Sequence, residues 1–188
     1  MTTFRAAEYA SLRAAIAARG QLRAGLAVAG VAAWALLLIL VMAWLPYPAA
    51  AVVPLVVLLA AFEAVRSLHM GAERLGRYLQ VFYEEAGDEA RPAWERTAMT
   101  LGPAVPGAAG HPLFLPVFFG AVGLNLLAVL LPEPVGVELV ALAIPHVSFA
   151  GWLVWTDRAM RRQRGEDLAR FRAIKKAGGE APGEGRNP

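Results

Sequence analysis

The sequence has no cysteine and only three histidines, and both shortages limit its chemistry. Without a thiol the chain can form no disulfide, no thiolate metal site and no cysteine nucleophile. With only His69, His111 and His146 available, a histidine-rich metal centre is disfavoured. The chain also contains no phosphate-binding loop, no Rossmann glycine pattern and no nucleophile elbow. We therefore predict no cofactor and no metal, and the sequence favours a non-enzymatic protein over an enzyme.

Apolar residues, by contrast, are abundant. They make up 57% of the 188 residues, whereas soluble domains are about 45–50% apolar. The excess falls in four blocks at about residues 26–45, 49–68, 113–132 and 137–156. Twenty helical residues cover the ~30 Å hydrocarbon core of a bilayer. The core of a soluble fold does not require four separate apolar segments of this length. The sequence predicts an all-α integral membrane protein, a bundle of four transmembrane helices.

Small residues mark one side of the first block. Gly25, Ala29 and Ala33 recur at i, i+4 and i+8, and such stripes allow helices to approach closely in lipid. We expect this side to be a helix contact.

Polar segments flank the four blocks. Residues 1–25 have the pattern of an amphipathic helix that lies either on the membrane surface or on the protein's own cytoplasmic segments. Residues 69–112 form a predicted cytoplasmic helical loop that begins as an extension of the second span, and residues 61–85 should be one unbroken helix. Residues 157–176 are predicted to be a basic juxtamembrane helix, and residues 177–188 a disordered tail.

Basic residues are distributed on one side of the predicted membrane. All eighteen Lys and Arg residues lie in the N-terminal segment, at or beyond the inner end of the second span, or in the C-terminal segment. The two short outer turns carry none and contain Glu133 and Glu138. The positive-inside rule places both termini in the cytoplasm, and the expected location is the bacterial inner membrane.

Four polar side chains within the predicted spans are candidate site residues. Glu63 and Arg66, at i and i+3, should form an ion pair, or Glu63 could serve as a proton or cation site. Asn125 and His146 lie at similar depths in antiparallel neighbours, so they could meet. Such a contact would be either a hydrogen-bonded clamp worth about 0.6 kcal/mol, and at most ~2, or part of a relay or ligand site.

Two further patterns lie on the long helix. An apolar stripe at i, i+3, i+4 and i+7 needs a cover, which the terminal helices, a second subunit or lipid headgroups could provide; it comprises Leu75, Tyr78, Leu79 and Phe82. His69 and Glu73 at i and i+4 could ligate a metal, but a third ligand is evident only in His111 or an acidic group at residues 84–89. A salt-bridging surface is the preferred interpretation.

The C-terminal segment carries eight basic residues next to the last span. Beside a membrane, anionic lipid headgroups are a simpler partner than nucleic acid. The predicted lipid-binding residues are Arg158, Arg161, Arg162, Arg164, Arg170, Arg172, Lys175 and Lys176.

Three functions are compatible with these patterns. The favoured one is a non-enzymatic polytopic membrane protein that acts as a homo-oligomer or as a subunit or scaffold of a membrane assembly. The second is a small oligomeric channel or transporter using Glu63, Asn125 and His146. The third is a metal-dependent enzyme at the membrane interface using His69, Glu73 and His111. Few polar groups lie within the spans, which favours the first.

Overall fold

The structure, a computed structural model, describes residues 3–45, 47–85, 113–131 and 133–179. These residues form four α-helices: α1 (Thr3–Trp44), α2 (Val52–Leu79), α3 (Leu115–Leu130) and α4 (Gly136–Gly179). A short 3-10 helix, Pro48–Ala51, precedes α2, and a π-helical turn, Gln80–Glu84, follows it. No strand occurs within these ranges, which confirms the predicted all-α class. The predicted cytoplasmic loop from residue 86 to 112, including His111, and the tail from residue 180 lie outside the described residues.

Helix α1 joins two segments that the sequence analysis treated separately. The predicted amphipathic helix at residues 1–25 and the first apolar block belong to one helix of 42 residues. No proline interrupts it, and its alanine-rich composition favours helix throughout. The N-terminal segment therefore continues the axis of the apolar segment instead of turning to lie flat. Helix α4 likewise joins residues 137–156 to the basic segment and runs for 44 residues, with Pro145 inside it.

Three of the helices, α1, α2 with its flanking turns, and α4, are long and apolar enough to cross a membrane. Helix α3 has only 16 residues, so it measures about 24 Å at 1.5 Å per residue. It is shorter than the predicted span at 113–132 because Leu113 lies in a turn and Phe114 adopts a left-handed conformation, φ 52°, just before the helix begins. The described residues thus contain three helices of membrane length and a shorter apolar fourth, and the four-span bundle stays a prediction.

The bundle has an apolar half and a polar half. The apolar half contains residues 26–45, the 3-10 helix, α2 up to residue 68, α3, and α4 up to residue 156. Phe62, completely buried, is at its centre and makes edge-to-face contacts with Phe118 and Phe149 at ring separations of 5.2 and 6.1 Å. Its outer surface is also apolar, with Ile39, Leu124 and many similar side chains exposed. Helices that are apolar all round suit lipid or the interior of a larger protein.

Helices α1 and α2 approach each other closely at Gly30. A Cβ atom built on Gly30 would lie 2.3 Å from the Cβ of Ala61, so only glycine fits at this crossing. The predicted stripe does not form this contact, since Gly25, Ala29 and Ala33 are all exposed. The small-residue principle holds, but it applies to a different side of the helix.

The polar half contains α1 up to residue 25, α2 from residue 69 with the π-helical turn, and α4 from residue 157. The three segments lie side by side: Arg5 donates to the carbonyl of Phe82 at 3.4 Å, and Lys175 donates to the carbonyl of Val81 at 2.6 Å. The first and last described helices therefore reach the same end of the bundle. Residues 61–85 are helical throughout, as predicted, except that the final turn is π-helical, closed by a 2.8 Å bond from Glu85 N to Gln80 O.

Candidate functional site

A closed polar network lies in the apolar half around Asn125, which is completely buried in the middle of α3. The Asn125 Oδ1 atom accepts a hydrogen bond from Trp34 Nε1 of α1 at 2.9 Å. Its Nδ2 group donates both hydrogens, one to the carbonyl of Ala51 and one to His146 Nε2 of α4, each at 2.9 Å. One side chain therefore connects α1, the 3-10 helix, α3 and α4.

The partners of His146 fix its protonation. Its Nδ1 atom lies 2.7 Å from the carbonyl oxygen of Leu142, and because a carbonyl only accepts, Nδ1 must carry the hydrogen. The Nε2 atom then accepts from Asn125, so the network describes a neutral imidazole. The His146 side chain is 1% exposed, and no polar atom of Asn125 or His146 is left without a partner. The polar atoms of this network are therefore fully hydrogen-bonded within the protein.

The meeting of Asn125 and His146, expected from their depths, is present in the structure. Whether they also serve a ligand is a separate prediction that the contact does not test. Sequence reasoning missed Trp34 and the Ala51 carbonyl. The position of Trp34 was a usable signal, because it lies in the middle of an apolar block, where an indole N–H needs a hydrogen-bond partner.

Glu63 forms a second polar contact at the boundary between the two halves. Its Oε2 atom accepts from Nη2 and Nε of Arg66, at 2.6 and 2.8 Å, as the i, i+3 spacing predicted. Its Oε1 atom accepts from Trp152 Nε1 of α4 at 2.6 Å, a partner that the sequence analysis did not identify. The Arg66 guanidinium also lies 6.0 Å from the centre of the Trp152 ring. Both carboxylate oxygens are thus engaged, and Glu63 joins α2 to α4.

Arg23 of α1 bonds His69 at the start of the polar half. The Arg23 Nη1 atom lies 2.7 Å from His69 Nδ1, and because a guanidinium only donates, this nitrogen accepts. The lone pair on that side of the imidazole is therefore not available to a metal. His69 is 5% exposed, so it does not belong to the solvated surface that the sequence analysis preferred.

Glu73, the other half of the predicted metal pair, is neutralised by arginines. It forms ion pairs with Arg77 on its own helix and with Arg164 of α4, the latter at 3.2 Å. Among the described residues there is no group of three or more potential metal ligands. His111 lies outside these ranges. The geometry at His69 and Glu73 therefore gives the metal-enzyme hypothesis no support.

The predicted apolar stripe on α2 is covered by the same chain. Leu79 is completely buried, and Leu75, Tyr78 and Phe82 are half-buried. Phe171 of α4 packs against the rings of Tyr78 and Phe82, with centroids 6.1 and 6.4 Å apart. On the other side, the Tyr78 hydroxyl donates to Glu8 of α1 at 3.2 Å. Of the four covers considered, the two terminal helices provide the contacts seen in the structure.

Tyr83 lies in an aromatic contact near the end of the polar half, and its pKa is raised. The rings of Tyr9 and Tyr83 lie 5.6 Å apart, and the guanidinium of Arg5 lies 5.6 Å from the centre of the Tyr83 ring. Burial, together with a hydrogen bond to Glu8, raises the pKa of Tyr83 to about 12. This tyrosine therefore stays neutral well above physiological pH.

Most of the predicted lipid-binding residues have partners within the protein. Arg172 bonds Glu85 at 2.6 Å and, with Arg164 and Lys175, holds α4 against α2. Arg161 pairs with Asp157 at 3.0 Å. Arg170 forms ion pairs with Glu166 at 3.7 Å and with Asp167 at 3.9 Å, and Lys176 also interacts with another group. Arg158 and Arg162 make no hydrogen bond or ion pair within the described ranges.

Compared with known proteins, the chain matches no family model, no curated protein and no solved structure. No relative therefore contributes a fold, a ligand or an activity to the interpretation of these contacts.

Proposed function

We propose that the chain is a non-enzymatic integral membrane protein that acts as a structural subunit, either as a homo-oligomer or with other membrane subunits. In this role the apolar half lies in the bilayer. The polar half, which consists of the polar ends of α1, α2 and α4, extends from it into the cytoplasm. The observation that carries the proposal is the engagement of the candidate polar side chains. Glu63, Arg66, Asn125 and His146 are all bonded within the bundle.

Four crossings of the membrane are part of this proposal, although α3 is short. The polar segments of α1, α2 and α4 lie at one end of the bundle. Helix α2 ends at the polar end of the bundle, whereas α4 begins at the opposite, apolar end. The chain must therefore cross the apolar half once more between α2 and α4. Leu142, near the start of α4, packs with Ala51 and Val129 at that opposite end. Helix α3 makes this passage, and local thinning of the bilayer accommodates its ~24 Å length at modest cost.

The orientation follows from charge. Every described Lys and Arg lies in the polar half or at its boundary, whereas Glu133 and Glu138 are at the other end. The positive-inside rule then favours a cytoplasmic polar half in a bacterial inner membrane.

The channel hypothesis is the weaker alternative. A pore needs polar groups that face an aqueous path, but Asn125 and His146 are 0% and 1% exposed and bonded to each other. Glu63 would have to release Arg66 and Trp152 before it could bind a cation or a proton.

Topology can be tested with single cysteines, because the chain contains none of its own. Gly136, Gly165 and Gly178 are suitable positions, since a Cβ at each would meet no atom within 4 Å. In intact cells, a membrane-impermeant maleimide should label only Gly136→Cys. Labelling of Gly165→Cys or Gly178→Cys would contradict the proposed topology.

The structural role is tested by isolating the protein from its native membrane. We expect light scattering of the purified particle to show an oligomer, or a stable partner to co-purify in stoichiometric amount. Liposomes containing the wild type should show no ion flux above that of empty liposomes. A monomer without a partner would contradict the proposal, and flux that disappears in Glu63→Gln would support the channel instead.

A further inference from the structure

Three neighbouring side chains on α4 point away from the rest of the bundle. Trp155, Arg158 and Arg162 lie at i, i+3 and i+7, a spacing that places them on one side of a helix. All three are exposed, Trp155 by 57%. Within the described ranges, Arg158 and Arg162 have no hydrogen bond or ion pair, whereas each of the other basic residues of α4 interacts with another group of the protein. Asp157, which precedes Arg158 in sequence, is bonded to Arg161.

The depth of these side chains follows from the length of the apolar segment. Twenty residues, from Gly136 to Trp155, span the ~30 Å hydrocarbon core, so the Trp155 ring reaches the interface. Arg158 lies about 4.5 Å and Arg162 about 10 Å further along the axis, within reach of a headgroup layer roughly 5–8 Å thick. Arg170 lies more than ~20 Å beyond Trp155, about twice the distance over which salt screens a charge.

Contacts with α2 hold this part of α4 at a fixed depth. The Trp155 ring stacks on that of Trp152, with centroids 4.8 Å apart. Trp152 in turn donates to Glu63 of α2 at 2.6 Å. Arg158 and Arg162, which lack partners among the described residues, are therefore held at a fixed depth by these contacts.

We propose that Trp155, Arg158 and Arg162 form a binding site for the phosphate of an anionic phospholipid in the cytoplasmic leaflet. Two guanidinium groups one turn apart offer several donors to phosphate oxygens, and the exposed indole packs among the upper acyl chains. An anionic headgroup is favoured because a zwitterionic one places its own cation beside the arginines. The site is narrower than the eight-residue surface expected from sequence, and it rests on the proposed membrane orientation.

The test is a titration of the detergent-solubilised full-length chain with phosphatidylglycerol, in which bound lipids are counted by native mass spectrometry. We expect the wild type to bind phosphatidylglycerol more tightly than phosphatidylcholine. Arg158→Gln and Arg162→Gln should each weaken phosphatidylglycerol binding by about fivefold, and the double variant by roughly 25-fold, as for basic residues near an anionic surface. Since neither arginine bonds another residue in the part of the chain that the structure describes, thermal unfolding should not change.

The matched control removes two basic residues from the same helix further from the membrane. Arg170→Gln/Lys176→Gln changes the net charge by the same amount, leaves the Arg172–Glu85 ion pair intact, and should leave binding within about twofold, because these charges are screened from the headgroups. If the control loses as much phosphatidylglycerol binding as the Arg158→Gln/Arg162→Gln variant, only overall charge matters and the proposed site is wrong. Unchanged phosphatidylglycerol binding by the Arg158→Gln/Arg162→Gln variant would also overturn the proposed site.

Two further measurements are needed. The first distinguishes the phosphate of a lipid from soluble phosphate, and the second distinguishes loss of the lipid site from an incorrect topology. Excess inorganic phosphate should not displace the bound lipid; if it does, the arginines bind a soluble anion rather than a phospholipid. The Gly136→Cys labelling experiment, repeated in the Arg158→Gln/Arg162→Gln variant, should still report an outer cysteine. Loss of lipid binding with labelling retained therefore identifies the lipid site without affecting the proposed topology.

Discussion

Replacing Asn125 with leucine tests whether the buried network stabilises the bundle. Leucine is close to asparagine in size and more compatible with lipid, so the change does not hinder membrane insertion. It leaves the Trp34 indole, the Ala51 carbonyl and His146 Nε2 without the partner that each has in the wild type. Because Asn125 is 0% exposed, water cannot take its place without opening the helix packing.

The size of the effect follows from three lost hydrogen bonds. At the average of about 0.6 kcal/mol measured within membranes, three bonds give about 2 kcal/mol. Buried groups left without partners cost about 1–3 kcal/mol each, although the helices can shift to relieve part of this cost. We therefore expect Asn125→Leu to lower the free energy of unfolding by roughly 2–5 kcal/mol. Trp34→Phe deprives only Asn125 Oδ1 of its donor, so its hydrogen-bond penalty should be smaller.

The assay is reversible unfolding in mixed micelles, followed by circular dichroism. Leu124→Ala is the matched control, because Leu124 is the preceding residue on α3 but is 58% exposed, and it should cost much less. Asn125→Leu and Trp34→Phe should also be non-additive, since they remove the same bond. If Asn125→Leu is as stable as the wild type, or if the two changes add, the network does not stabilise the bundle and a ligand-binding role for it becomes the better explanation.

Three further outcomes follow from other contacts. Leu79→Ala should lower the free energy of unfolding by about 2–5 kcal/mol, since Leu79 is completely buried, and equal damage from Glu84→Ala would contradict the packing of this stripe. Gly30→Ala should destabilise the protein by about 1–3 kcal/mol through its clash with Ala61, whereas Gly25→Ala, where a Cβ meets nothing, should stabilise it slightly. The pKa of Tyr83 is raised from 10.0 to about 12, so its contribution to stability is complete below pH ~10 and is lost as the pH rises towards ~12. Tyr83→Phe should remove that part of the pH dependence of unfolding, and an unchanged profile would count against the raised pKa.

Contacts within one helix or between neighbouring helices were predictable from sequence. The Glu63–Arg66 pair depends only on helical spacing, and the approach of Asn125 to His146 depends on two helices joined by a short turn. Trp152 and Trp34 were not predicted as partners because each comes from a helix distant in sequence. Their identification required the arrangement of the helices in three dimensions, which hydrophobic periodicity does not encode.

The rotation of α1 about its axis was also not predictable. In lipid, a helix that is apolar on all sides can turn any of its faces towards its neighbours, so the stripe of small residues at Gly25 was as plausible a contact as the one at Gly30. In its polar segment the amphipathic pattern does not identify partners for the charged residues. In the structure Glu8, Arg19 and Arg23 are partly buried, and alanines such as Ala14 are exposed. The arginines turn inward because their partners, His69 and the carbonyl of Gly71, are on α2.

Polar contacts at three levels therefore determine how the helices are aligned. The Asn125 network joins α1, α3 and α4, the Glu63–Trp152 bond joins α2 to α4, and the Arg23–His69 bond joins α1 to α2. Apolar helices in lipid gain little from one register over another, because lipid tails are as apolar as the side chains they replace. A directional hydrogen bond, in contrast, is lost when a helix slides or rotates by a single residue. We infer that packing around Phe62 brings the helices together, and that these bonds select the register in which the polar segments of α1, α2 and α4 meet.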